Sequence, residues 1–165
     1  MLRSYSLLGL ALALLVSFSG CKKDEDNPSR RAMLTAGNGT WKLTAVTVSP
    51  GLPIGGTLVT DFYSQIPDCT KDDLSVFLTA SSNNYREEEG ATKCSQSNPQ
   101  VSATGNWTLS NDEKTLSITS TDAGSTTPST EEITITSMSG SQMVGTFREE
   151  FGTVTYTLTA TWTKQ

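Results

Sequence analysis

The stretch Val154-Thr155-Tyr156-Thr157-Leu158-Thr159-Ala160-Thr161-Trp162-Thr163 decides the fold. Apolar side chains occupy every even position and threonine every odd one, which is the period of a half-buried β-strand. The β-branched threonines suit a pleated surface and keep its outer face wet.

Working back from this strand, the same alternation predicts seven more, over Thr40–Val48, Asp73–Thr79, Asn84–Glu89, Ser102–Leu109, Thr115–Ser120, Glu131–Ser137 and Gln142–Glu150. Clusters of Gly, Asn, Asp and Ser at 81–83, 111–113, 139–141 and near Gly152 read as hairpin turns between sequential partners. One inward face collects Trp41, Leu43 and Ala45, then Leu74, Val76 and Leu78, then Ala103, Gly105, Trp107 and Leu109. Leu116, Ile118, Ile133, Ile135, Met143, Gly145 and Phe147 complete it. Val46, Val48 and Phe77 break the parity, and either a bulge in the first strand or a second contact surface outside the main core would account for them. Eight sequential antiparallel strands leave two raw edges unless the sheet closes on itself. The expected fold is therefore all-β, an eight-stranded antiparallel up-and-down barrel. The longest connection, Ser49 to Asp72, reads as a loop or short helix between strands 1 and 2. Thr60 or Asp61 can cap a turn that Pro67 ends, and Phe62, Tyr63 and Ile66 can lie over the barrel mouth.

The first twenty of the 165 residues read as an export signal, with Arg3 followed by an apolar run from Leu7 to Phe18 that is too short to span a bilayer. Phe18-Ser19-Gly20-Cys21 resembles a bacterial lipobox, although Phe18 departs from the favoured Leu; on this reading Cys21 becomes the lipidated first residue. Residues 21–37 then form a charged tether, in which Lys22 to Arg31 lacks the apolar content to fold, and 38–165 form the barrel. Acidic residues directly behind Cys21 resemble a surface-export tag. The expected location is the cell envelope, with the chain lipid-anchored to the outer membrane and exposed at its surface. Cys69 and Cys94 are then the remaining thiols in an oxidising compartment, where an even pair is expected to form a disulfide. The alternative, a redox or metal-binding pair, lacks both the CxxC spacing and a neighbouring His.

Composition narrows the chemistry. Histidine is absent, which removes Ser-His-Asp and Cys-His catalysis and imidazole-ligated zinc. Seventeen Asp and Glu against twelve Lys and Arg make nucleic acid a poor partner. No phosphate loop or nucleophile elbow is present. The expectation is a non-enzymatic protein with no cofactor and no metal. Asp68, Asp72 and Asp73 read as capping or solvated residues rather than a calcium loop, and Glu87-Glu88-Glu89 as a solvated edge; Glu149 shares the inward parity near the mouth, but the preferred reading is that the strand has already reached solvent at the hairpin.

Gly39-Thr40-Trp41 resembles the Gly-x-Trp of lipocalins, and the long connection after that strand matches the lipocalin entrance loop. Trp41-Lys42-Leu43, Asp68-Cys69, Asp72-Asp73, Phe77, Tyr85, Cys94 and Gly105-Asn106-Trp107 together resemble the bacterial lipocalin-like domain lipoproteins. The resemblance spans Gly37 to Lys164 and implies the eight-stranded barrel and a Cys69–Cys94 bridge, but no established ligand or reaction. The function expected is a membrane-anchored carrier of a small, partly apolar molecule, held by Trp41, Leu43, Phe62, Trp107, Phe147, Tyr156, Leu158 and Trp162. The alternative is a packed barrel serving as an interaction module for another envelope protein. If Cys21 carries the anchor, Cys21→Ser moves the protein from the membrane fraction to the soluble fraction on cell fractionation; retention in the membrane would refute the assignment.

Overall fold

The computed structural model describes residues 28–78 and 83–165. The leader, Cys21 and the tether up to Asn27 lie outside these residues, as does most of the turn expected at 81–83. Nine strands form one antiparallel sheet: β1 (Thr40–Ile54), β2 (Thr57–Asp61), β3 (Leu74–Phe77), β4 (Asn84–Glu88), β5 (Val101–Leu109), β6 (Thr115–Asp122), β7 (Ser129–Met138), β8 (Gln142–Phe151) and β9 (Val154–Lys164). From β3 onward each strand pairs with the next, and β1 closes the circuit by pairing with β3 on one side and β9 on the other. Eight strands therefore make a closed barrel, and β2 is an outgrowth bonded to β1 alone.

That outgrowth corrects the reading of 49–72 as a loop. β1 runs through Pro50 and Pro53 to Ile54, turns at Gly55-Gly56, and returns with Leu52 opposite Val59 and Ile54 opposite Thr57. Both glycines have positive φ, 58° and 83°, as a two-residue hairpin turn requires. The short helical piece does form: a 3-10 turn, Tyr63–Gln65, is followed by α2 (Asp68–Lys71). Asp61 accepts the Ser64 N–H at 3.3 Å, the capping role its position suggests. The Cys69–Cys94 disulfide joins α2 to the loop after β4, with the Cα atoms 5.1 Å apart. Across a separation of 25 residues such a bridge contributes roughly 3.5 kcal/mol by limiting the unfolded chain.

The parity violations resolve in two ways. In β1 the register shifts between Leu43 and Ala45, and beyond this bulge Val46 and Val48 turn into the core. In β3 the expected inward face is corrected in part: Phe77 belongs to the core cluster, Val76 is buried but lies outside that cluster and borders a groove with Thr35, Gly37, Asn38 and Thr40, and Leu74 does reach the cavity. An inward Phe offers more apolar surface than an inward Val, which decides the face.

The tether is also shorter than expected. α1 (Arg30–Thr35) begins at Ser29, whose Oγ accepts the Ala32 N–H at 3.1 Å. Met33 and Leu34, two apolar residues side by side, are buried against one end of the barrel. Arg30 fixes this helix by donating to the carbonyls of Glu113 and Ile135 at 3.0 and 3.2 Å. Trp41, fully buried, donates its indole N–H to the Leu34 carbonyl at 2.8 Å, and the Lys164 ammonium lies 4.6 Å from the centre of its ring. Gly39 is required here because a Cβ would collide with the Phe77 carbonyl oxygen at 1.9 Å.

Trp41→Phe removes the indole N–H together with part of the ring volume, leaving the Leu34 carbonyl without its donor and a small void beside it. Chemical denaturation should show a loss of about 1–3 kcal/mol; an unchanged midpoint would mean that the bond contributes nothing net.

Candidate functional site

The barrel is unevenly filled. At the end closed by α1, Leu34, Trp41, Trp107, Leu116 and Ile135 belong to one buried cluster, and Trp107 meets Phe77 edge to face at 6.1 Å. Above them lies a partly open cavity of about 240 Å³. That volume falls between the ~150 Å³ that admits benzene and the ~300–1,000 Å³ of sites for drug-sized molecules.

Its wall is apolar on the side of β6 to β9 and β1: Ile118, Ile133, Met143, Phe147, Ala160, Trp162, Leu43 and Val46. On the side of β3 and β4 it carries Asp73, Ser75, Phe77, Tyr85 and Glu87, with Glu131 of β7 facing them and Thr70 of α2 at the mouth. The register explains this division. Glu131 sits two residues mouthward of Ile133, Glu87 two mouthward of Tyr85, and Asp73 two mouthward of Ser75, so each acidic residue keeps the inward parity of its strand.

Tyr85 is buried, its ring 5.2 Å from that of Phe77, and its hydroxyl donates to Glu87 Oε1 at 2.6 Å. Burial first, and then the Glu87 charge, push the phenol far above its usual range, so it stays a donor at any physiological pH. Burial also pushes the Glu131 carboxyl up, with repulsion from Glu87 and Glu149 adding to it. Glu131 and Glu87 are both exposed to water at the mouth, while Asp73 is half-buried. Asp73 is likewise raised by burial, opposed by the Gly90 N–H that it accepts at 3.0 Å, with Glu89, Asp72 and Glu87 adding repulsion.

The structure separates the residues expected to hold a ligand. Leu43, Phe147 and Trp162 line the cavity. Trp41 and Trp107 do not: they are core, and both indole N–H groups are already used, that of Trp107 on the Leu78 carbonyl at 3.3 Å. Tyr156 and Leu158 are buried toward the β8–β9 turn, where Phe151 packs edge to face on Tyr156 at 5.7 Å. Phe62 packs on the core beside Tyr63 and Ile66 without entering the cavity. The sequence reading missed Tyr85, Glu87 and Glu131. The signal was present for Glu131, which shares parity with Ile133 and Ile135. It was obscured for Glu87 because three consecutive glutamates look solvated. Glu149 is exposed, yet it acts on Glu131 by charge.

Among the described residues, no group of acidic or cysteine side chains has the arrangement of a metal site. The fold and the cavity together are those of a ligand-binding barrel in general. Comparison with curated proteins gives no match. Comparison with family models matches the lipocalin-like domain over residues 38–145, from just before β1 into β8. That stretch is more than half of the chain and contains the Gly-x-Trp closure and most of the cavity wall, so the chain belongs to the lipocalin-like domain family.

Proposed function

We propose that this protein is a non-enzymatic, lipid-anchored carrier of the bacterial cell envelope that holds a small, partly apolar molecule inside its barrel. The observation that supports this reading best is the cavity itself, a concave apolar surface with a few polar groups converging at one end. Anchoring through Cys21, and placement at the outer membrane, rest on the apolar run and the lipobox-like tetrapeptide. The interaction-module reading draws on a different feature. Ile54 and Leu58 at the β1–β2 tip and Phe151 and Val154 at the β8–β9 tip are exposed, and both tips lie at the open end.

Trp162 lines the cavity and can report occupancy. Titration with hydrophobic dyes should quench its fluorescence saturably, and Ala160→Leu, which projects into the cavity, should abolish the response while the protein stays folded. A non-saturable response, or one that survives the cavity-filling substitution, would favour the interaction module.

The acidic wall gives the empty protein a pH signature. Glu131 and Asp73 have carboxyls raised above their unfolded values, so the folded state binds protons more readily than the unfolded chain. This stability is fully present below the unfolded carboxyl pKa of about 4 and is lost as pH rises through the raised values. The melting temperature of the empty protein should therefore rise on mild acidification from pH 7, and Glu131→Gln should be more stable than the parent at pH 7 with a flatter profile. A parent profile that matches Glu131→Gln across this range would refute the assignment.

A further inference from the structure

We propose that the cavity selects a cation: its ligand is an apolar amine whose ammonium group sits at the mouth between Glu87 and Glu131. This deepens the binding reading above and rests on it.

The cavity lining contains three carboxylates, Asp73, Glu87 and Glu131, and no lysine or arginine. Among the described residues, none of the three belongs to an ion pair, and the nearby basic groups are engaged elsewhere. Lys71 pairs with Asp68 at 2.8 Å and covers the Tyr63 ring, Lys93 donates to the Asn98 carbonyl, and Arg86 pairs with Glu88. Arg148 lies on the outward parity of β8, where with Glu131 and Glu149 it borders a groove outside the cavity. Glu87 receives one bond from Tyr85, which orients its carboxylate and leaves its other acceptor sites open.

Like charges gathered around a half-enclosed space repel; the Glu131 carboxyl is raised by burial first, and then by repulsion from Glu87 in the cavity lining and Glu149 outside it. A protonated amine placed between Glu87 and Glu131 offsets that repulsion. A carboxylate or phosphate ligand would meet three negative charges with no counter-charge, and a neutral apolar ligand would leave the carboxylates unpaired and less hydrated. A hydrated divalent ion would use the carboxylates but not the apolar wall of Ile118, Ile133, Met143 and Phe147. The division of the wall thus maps onto one molecule, with its hydrocarbon or aryl body deep and its ammonium at the mouth.

Calorimetric titration with three probes sharing one body, 3-phenylpropylamine, 3-phenylpropanol and 3-phenylpropanoate, tests this at pH 7 and low salt. The amine should bind at least about tenfold more tightly than the alcohol, as a charge-assisted bond warrants, and the acid should bind least. Glu87→Gln and Glu131→Gln should each lower the affinity for the amine by more than that for the alcohol, narrowing the amine's advantage, whereas a merely structural role would weaken both probes alike. Lowering the pH should weaken the amine, as Glu131 takes up a proton, and not the alcohol. Equal or tighter binding of the alcohol or the acid would overturn the cationic preference and leave the carrier reading standing. Failure of all three to bind would overturn both.

Discussion

The hydrogen bond from the Trp41 indole to the Leu34 carbonyl is the constraint on which the rest of the barrel depends. A tryptophan is too large to leave its N–H unpaired in a core, and β1 has no carbonyl to spare inside the barrel. The six-residue α1 helix supplies the acceptor, and in return its two apolar residues gain a surface to cover. Lys164 ties the last strand to the same point, with its ammonium on the Trp41 ring and a 2.5 Å bond to the Met33 carbonyl; burial there pushes its pKa down. First strand, last strand and leading helix are thus joined where the sheet closes.

At the end sealed in this way Trp41 and Trp107 are buried in the core, and the cavity lies above them. The two accounts that the sequence allowed, packed core and hollow pocket, are each true of one half. Trp41 and Trp107 fill the closed half, while Trp162, shifted along β9, faces the space above. The disulfide acts on the open half, holding α2 and its Thr70 against the mouth.

Strand order, closure and the bridge were legible because each follows from local pattern: alternation, short turns and an even pair of cysteines. What was not legible depends on which of two faces wins. In β3, apolar residues occupy both parities, and the contest between Val76 and Phe77 is settled by the larger apolar surface of Phe together with the neighbours each one meets. In β4, Tyr85 is the sole large apolar anchor, so the inward direction of Glu87 could be inferred only after Tyr85 was placed. The α1 helix was hidden by its charged flanks; Met33 and Leu34 become meaningful only when a barrel end needs covering. The β1–β2 hairpin was obscured by two prolines, which a strand tolerates where their missing N–H groups face no partner.

The position of α1 also fixes a direction. The chain arrives at the sealed end of the barrel, diametrically opposite the opening. Were Cys21 held in a lipid leaflet, the eight residues to Ser29 would reach at most about 29 Å when extended. The sealed base would then face the bilayer, and the opening would look outward into the surrounding fluid. A barrel moored by its base in this manner would present its cavity to the aqueous phase or to another protein, rather than to the lipid beneath.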